Sequence, residues 1–153
     1  MKQFTVTAEV PAPIEQVFAL LDEPAAHEQF NDHYLVDWST FGPARGLGAG
    51  VRTRTTLNKR DFADIAVIAV EAPTRIVEES VGAGGKRRSH GTFALEPIGA
   101  DGTRVSFTLT PVALPASERL VWPVLRIWLR RQTQRAMLRL AGIFAGEPSA
   151  TKG

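Results

Sequence analysis

Apolar and polar residues alternate in seven separate stretches of the chain, a pattern typical of half-buried β-strands. In the first stretch, residues 3–10, every second residue from Phe4 to Val10 is apolar. Short turns rich in glycine, proline, asparagine or aspartate separate the other stretches, so they are expected to form an antiparallel meander. These six stretches are residues 34–41, 51–57, 62–71, 75–81, 87–96 and 103–112.

Helical spacing of apolar residues is found after the first strand and after the last one. Residues 14–21 have apolar side chains three and four positions apart, which predicts an amphipathic helix that ends near Pro24. A second short helix is expected at residues 24–30. Because proline cannot occupy the interior of a regular helix, we expect the long C-terminal helix to begin at Pro123 and to end near residue 145. A short turn with Ser117 as its capping residue should precede it.

These elements predict an α+β fold, in which a seven-stranded curved antiparallel sheet surrounds a long C-terminal helix and two short helices follow strand one. The 153 residues, 44% of them hydrophobic, have the size of one domain. We expect that domain to cover residues 1–146, with a flexible tail at 147–153. No apolar stretch approaches the roughly 20 residues that cross a bilayer, and no signal segment is recognisable, so a cytoplasmic location is expected.

The composition excludes several kinds of chemistry. The chain has no cysteine, which excludes thiol nucleophiles, disulfides and zinc fingers. The net charge of +2 argues against a dedicated nucleic-acid-binding protein. Residues 1–44 carry one lysine and seven acidic residues, whereas residues 117–147 carry six arginines and two glutamates. Two interpretations stay open: these segments attract each other within one domain, or the basic helix contacts a polyanion or a membrane surface.

Four segments of the chain carry a resemblance to a known family. Residues 10–22, where the first strand passes into the first helix, resemble START-like ligand-binding proteins. The glycine-rich turn at 46–50 and the segments 70–76 and 102–105 agree in order and spacing. The chain is therefore similar to the polyketide cyclase/dehydrase and lipid transport group of the SRPBCC superfamily. The resemblance implies a helix-grip fold and a cavity between the sheet and the C-terminal helix that binds a polyketide, a lipid or an aromatic metabolite.

Strand alternation and helix spacing predict which residues line this cavity. Strand four is apolar on both faces, so the face on which Ala66 and Ile68 lie stays ambiguous. Plain core packing is the alternative for each aromatic residue. The candidate ligand-binding residues are Phe30, Tyr34, Val36 or Trp38, Thr53, Thr55, Ala66, Ile68, Phe93, Phe107, Val121, Leu125 and Trp128.

Three residues are candidates for catalysis. Asp64 and Glu78 share the strand parity of cavity-facing residues, and Tyr34 lies near the expected mouth. A buried carboxyl has a raised pKa and can act as a general acid or base in a cyclisation or dehydration. The alternative for each is an exposed surface position. Aromatase/cyclases of this fold carry a tryptophan on a cavity strand, and the matching stretch at residues 51–55 has none, which argues against their chemistry.

No motif in the sequence predicts a metal or a cofactor. His27, His33 and His90 lack the spacing of a metal-binding pair, and His90 should point outward. The glycine-rich segments at 46–50 and 82–87 precede strands, whereas a phosphate-binding loop precedes a helix. We therefore expect neither a metal nor a cofactor.

The early part of the C-terminal helix is apolar around most of its circumference. Trp122 and Leu129 exceed what one packed side requires, so we expect them near the cavity rim, covered by the loop after strand seven, by a second subunit or by lipid headgroups. Arg126 and Arg130 should face solvent. The sequence leaves three functions open: a binder of hydrophobic ligands, a cyclase or dehydratase, and a membrane-docking lipid carrier, each as a monomer or a homodimer.

Overall fold

A single antiparallel sheet and one long helix dominate the computed structural model, which describes residues 1–146. The expected tail at 147–153 lies outside the described residues. The strands follow the order β1-β7-β6-β5-β4-β3-β2, so the predicted meander and the helix-grip arrangement are confirmed. The strands are β1 (Phe4–Val10), β2 (Leu35–Phe41), β3 (Gly50–Thr55), β4 (Ala63–Glu71), β5 (Arg75–Gly82), β6 (Arg87–Ile98) and β7 (Gly102–Ala113).

The helices lie where the apolar spacing predicts them, with one exception. Helix α1 (Ile14–Leu21) leads into a 3-10 turn (Pro24–His27) and the one-turn helix α2 (Glu28–Asn31). The long helix α3 covers Ala116–Phe144. None of the helices in the described part of the chain is long and apolar enough to span a membrane.

The start of α3 differs from the prediction. The helix begins directly after Pro115 and continues through Pro123, so the expected turn at 117–122 and the capping role of Ser117 were wrong. Tertiary contacts hold the helix on both sides of the proline, because Trp122 Nε1 donates to the Lys2 carbonyl at 2.9 Å and Arg126 Nη2 donates to the Gln3 carbonyl at 2.9 Å. These contacts offset the cost of an interior proline, about 3 kcal/mol.

The hydrophobic core fills only one end of the sheet. Val17 and Leu21 of α1 and Met137 and Leu140 from the second half of α3 are almost completely buried there against β1, β6 and β7. The first half of α3 has no equivalent core beneath it, and Val121 and Val124 are exposed. This uneven packing leaves a space between the sheet and the first half of α3.

The two edge strands of the sheet, β1 and β2, differ in what lies along their main chain: α3 side chains contact the first, and a bulge interrupts the second. At the β1 edge, side chains of α3 reach the main chain, and Gln134 Nε2 donates to the Thr7 carbonyl at 3.4 Å. At the β2 edge, the pairing with β3 is interrupted by a bulge between Val36 and Ser39. Within the bulge, Asp37 has a φ of 58° and accepts a hydrogen bond from Arg54 Nε at 2.9 Å.

Candidate functional site

A cavity of about 390 Å³ lies between the concave face of the sheet and the first half of α3. Most of its wall is aromatic and aliphatic, with a few polar side chains from β3, β5 and the short helices. Trp122 and Leu129 contribute to it from α3. The predicted residues that line it are Phe30, Tyr34, Trp38, Thr53, Thr55, Phe93, Phe107, Val121, Leu125 and Trp128.

The face of β4 that lines the cavity is opposite to the face that carries Ala66 and Ile68. Ala63 and Ile65 line it, whereas Ile68 is 44% exposed, so placing Ala66 and Ile68 in the cavity wall was wrong. Asp64 lies on the outer face with them. Both faces of β4 are apolar, and a register shift between Val67 and Ala69 interrupts its pairing with β5, so alternation alone could not identify the inner face.

Two more of the residues predicted to reach the cavity, Asp64 and Val36, lie outside it. Asp64 forms a surface ion pair with Arg52, 2.7 Å between Oδ1 and Nε, which lowers the pKa of the carboxyl, so Asp64 is not a cavity acid. Of the alternatives on β2, Trp38 lines the cavity and Val36 does not. The indole Nε1 of Trp38 donates to the Leu35 carbonyl at 2.8 Å, across the bulge of β2.

Glu78 is the acidic side chain at the centre of the cavity wall. It lies in the middle of β5, on the same face as Ile76 and Ser80, and is 7% exposed. Burial raises the pKa of its carboxyl to about 8, because the apolar surroundings disfavour the charged form. No side chain within residues 1–146 donates a conventional hydrogen bond to this carboxyl. Glu78 therefore holds a proton near neutral pH and can offer it to a bound molecule.

His27 lies beside Glu78 in the cavity wall. Its Nε2 lies 2.8 Å from the Leu21 carbonyl, so the neutral ring carries its proton on Nε2 and presents Nδ1 as an acceptor. Nδ1 lies 3.6 Å from Oε2 of Glu78. Burial lowers the pKa of His27 to about 4. Phe30 and Phe93 flank the imidazole, with ring centroids 5.2 and 5.6 Å away.

Sequence reasoning missed the role of His27 at the site. The histidine was considered only as a metal ligand, and nothing in its spacing relates it to Glu78 on a distant strand. The available signal was the predicted short helix at residues 24–30, which contains both His27 and the candidate cavity residue Phe30. Among residues 1–146, no group of three or more acidic or histidine side chains could hold a metal ion.

Two of the hydroxyl groups in the cavity wall are deeply buried. Thr53 is fully buried in β3, and its Oγ1 atom has no hydrogen-bond partner within the described residues. Tyr34 packs edge-on against Trp128, with ring centroids 6.1 Å apart. Burial raises the pKa of Tyr34 to about 12, so its hydroxyl remains protonated. The cavity wall thus offers neutral hydrogen-bonding groups inside an apolar surface.

Three charged side chains line the cavity where β6 and α3 begin. Arg87 of β6 donates from Nε to Glu118 of α3 at 2.7 Å and from Nη1 to Asp61 of the β3–β4 loop at 2.5 Å. These partners raise the pKa of Arg87. Arg87 is the only arginine or lysine of the cavity wall in the described part of the chain, and its charge is already balanced.

The other two histidines, His33 and His90, lie outside the cavity. His33 stands between α2 and α3, where its Nδ1 is 2.7 Å from Nη1 of Arg139. Arg139 also pairs with Asp32 at 2.6 Å, which is one direct contact between the acidic first segment and the basic helix. His90 pairs with Glu79 on the outer face of the sheet, as its strand parity predicts.

The comparison with family models decides the family. The model of "Polyketide cyclase / dehydrase and lipid transport" matches residues 1–144. The chain belongs to this family. No curated protein matches it in sequence.

Several solved structures share the fold. Protein TTHA0849 of Thermus thermophilus superposes with a TM-score of 0.76 at 18% identity, over 95% of this chain and 98% of the other. A START superfamily protein of Mycobacterium smegmatis gives 0.66 at 17% identity, over 92% and 98%. Truncated norcoclaurine synthase of Thalictrum flavum gives 0.68 at 14% identity, over 93% and 92%. At these identities the likeness concerns the fold alone.

Proposed function

We propose that this protein binds an uncharged, mostly apolar small molecule in the cavity between the sheet and α3. The cavity itself carries the proposal, because its volume of about 390 Å³ and its aromatic wall suit a ligand of small or medium size. A polyketide or another aromatic metabolite fits best, and a lipid with an uncharged headgroup is the alternative. The proposed contacts are Phe30, Tyr34, Trp38, Thr53, Thr55, Phe93, Phe107, Val121, Leu125 and Trp128.

The charges around the cavity favour a neutral ligand. A carboxylate on the ligand would need a free cation, and Arg87 is already paired with Asp61 and Glu118. The apolar surroundings that keep the Glu78 carboxyl protonated would also disfavour a charged carboxylate on a ligand bound beside it. A ketone or hydroxyl oxygen on the ligand instead accepts the proton that Glu78 offers.

The binding experiment compares two neutral ligands with a charged one, and the neutral and charged lipids share one chain length. Thermal shift and NMR titration are measured with hexadecanol, with palmitate and with a neutral polycyclic quinone. We expect the quinone or the alcohol to raise the melting temperature and palmitate to leave it unchanged. Binding of palmitate alone would contradict the neutral-ligand proposal.

Two variants of β4 test whether the ligand occupies the cavity. Ala63→Trp places an indole in the cavity, whereas the matched Ala66→Trp places the same indole on the outer face of that strand. We expect the first variant to abolish ligand binding and the second to retain it. If both variants bind equally well, the ligand does not occupy the cavity and the proposal fails.

A second candidate function is general acid–base catalysis of a cyclisation or dehydration. The observation that favours it is the buried pair, in which Nδ1 of His27 lies 3.6 Å from Oε2 of Glu78. In a dehydration, His27 Nδ1 takes a proton from the carbon next to a ketone, and Glu78 gives its proton to the departing hydroxyl group, which leaves as water. Proton transfer from His27 to Glu78 restores both groups. The proposed role of Tyr34, whose hydroxyl keeps its proton, is to donate a hydrogen bond to the ketone oxygen.

The enzymatic proposal is tested with a β-hydroxy ketone whose dehydration to an enone is followed by ultraviolet absorbance. Glu78→Gln should lower the rate by about 10²- to 10⁴-fold, the usual contribution of a positioned acid or base. Asp64→Asn is the matched control on the outer face, and its rate should equal that of the wild type. Unchanged turnover in Glu78→Gln would remove Glu78 from the mechanism, and absence of turnover in the wild type would leave ligand binding as the function.

A further inference from the structure

The outward side of the first half of α3 exposes three large aliphatic side chains. Leu120, Val124 and Ile127 are 82%, 72% and 51% exposed, and their spacing of four and three residues places them in one row along the helix. We call this row the α3 outer face. A helix that packs against a sheet needs a single apolar side, and the side of α3 that contains Trp122 and Leu129 already supplies it. The α3 outer face is therefore a second apolar surface on the same turns.

Basic residues surround the α3 outer face. Arg119 and Arg130 are exposed within the same turns, and Arg131 extends the row by one turn. Beside the row, a groove is lined by Met1, Lys2, Arg119, Trp122, Pro123, Arg126 and Ile127, with no acidic side chain among them. Glu118 is the acidic residue in this part of α3, and it is paired with Arg87. Apart from the paired Glu118, the charged side chains described around the α3 outer face are therefore positive.

This combination of apolar and positive surface identifies the partner. A twofold contact between two copies through this face would bring the arginines of both copies together, which opposes dimerisation. A row of three aliphatic side chains also falls short of the roughly 1,200 Å² that stable protein interfaces bury. An anionic bilayer offers both an apolar layer and phosphate groups, and arginines beside an apolar helical row match that arrangement.

We propose that the α3 outer face docks this protein onto anionic lipid bilayers. Leu120, Val124 and Ile127 enter the boundary between headgroups and acyl chains, while Arg119, Arg130 and Arg131 contact lipid phosphates. Of the residues predicted from sequence to meet lipid, Arg130 belongs to this surface, whereas Trp122 and Leu129 face the cavity and Arg126 is occupied by the Gln3 carbonyl. The docking surface does not depend on what the cavity binds.

Docking would place the bilayer beside the cavity wall. Val121, Trp122 and Leu125 line the cavity from the same helical turns that carry the α3 outer face. A ligand that partitions into lipid would then enter or leave the cavity next to the membrane, without crossing bulk water.

The experiment is co-sedimentation of the protein with vesicles of phosphatidylcholine, either pure or mixed with phosphatidylserine. We expect binding to the mixed vesicles at low salt, and weaker binding as salt screens the arginines. Arg130→Gln combined with Arg131→Gln should weaken binding by about 30-fold, because each basic residue near an anionic surface contributes about 1 kcal/mol, roughly a fivefold change in affinity. Leu120→Ser combined with Val124→Ser should weaken it to a similar extent at low and at high salt.

Each variant has a matched control. Arg75→Gln with Arg104→Gln makes the same change in net charge at the opposite end of the strands, and Leu47→Ser removes an exposed leucine from the turn between β2 and β3, away from α3. Both controls should bind as the wild type does. The proposal is overturned if the wild type fails to bind mixed vesicles at low salt, or if the controls weaken binding as much as the variants. It is also overturned if sedimentation without lipid reveals a dimer that Leu120→Ser dissociates.

Discussion

The Nδ1 atom of His27 lies 3.6 Å from the Oε2 atom of Glu78, and both side chains are buried in the wall of one cavity. Burial acts on them in opposite directions, since it raises the pKa of Glu78 to about 8 and lowers that of His27 to about 4. Both groups are therefore neutral near pH 6, with a proton on the carboxyl and an empty acceptor position on the imidazole. As pH rises, the titrations of these two groups therefore change the free energy of unfolding in opposite directions.

The stability of Glu78→Gln relative to the wild type should change with pH. From pH 4.5 to about 8, the unfolded wild type releases the Glu78 proton that the folded protein keeps, so this group lowers stability as pH rises. From about pH 4 to 6.5, His27 has the opposite effect, because only the unfolded state binds its proton. The wild type should therefore lose stability mainly between pH 6.5 and 8.

Glu78→Gln removes only the carboxyl contribution. Its stability should equal that of the wild type near pH 4.5 and exceed it above pH 8 by an amount on the order of a few kcal/mol. Urea denaturation at a series of pH values measures this difference. A difference that does not vary with pH would show that Glu78 titrates normally in the folded protein.

Thr53→Val is expected to stabilise the ligand-free protein. The Thr53 hydroxyl is buried without a hydrogen-bond partner in the described part of the chain, and burying such a group costs about 1–3 kcal/mol. Valine keeps the shape and removes this cost, so the midpoint of urea unfolding should rise. Thr133→Val is the control, because the Thr133 hydroxyl donates to the Leu129 carbonyl at 2.7 Å and its loss should lower the midpoint. A lower midpoint for Thr53→Val would mean that its hydroxyl is already satisfied.

Arg87→Gln should loosen the start of α3. The substitution leaves Asp61 and Glu118 facing each other without a cation and should cost about 2 kcal/mol, since hydrogen bonds to charged groups contribute about that much. Hydrogen exchange should become faster in residues 116–122. Arg75→Gln breaks an exposed pair with Glu71 and should change stability by less than about 0.5 kcal/mol. Equal effects of the two substitutions would show that Arg87 does not hold the helix.

Pro123→Ala should stabilise the protein by about 2 kcal/mol. Alanine restores the main-chain hydrogen bond that proline removes from the interior of α3, and this gain exceeds the entropy it returns to the unfolded chain. Thermal denaturation of the variant measures the gain. The control is Pro115→Ala, because Pro115 precedes the first turn with a φ of −54° that suits proline, so this substitution should give no stabilisation.

The strands and their order were predictable because each strand has a clear local signal. Alternation from Phe4 to Val10 matches the observed burial of every second residue of β1, and short turns left a meander as the simplest arrangement. The same rule placed Glu78 on the inner face of β5. Local patterns were sufficient wherever only one face of a strand is apolar.

The remaining features depend on contacts between distant residues. The face of β4 was not predictable, because both of its faces are apolar and a register shift interrupts its pairing. The start of α3 was not predictable, because contacts with Lys2 and Gln3 override the local preference of Pro123. His27 could not be assigned to the site because its partner, Glu78, lies on a strand that follows much later in the sequence.

The two edges of the sheet also restrict how copies of this chain can associate. Along β1, α3 side chains occupy the carbonyls of Lys2, Gln3 and Thr7, so another strand would have to displace the helix to pair there. Along β2, the bulge at Asp37 breaks the straight row of main-chain groups that an incoming strand requires. Exposed sheet edges usually aggregate by adding a further strand, and both edges of this sheet oppose that addition.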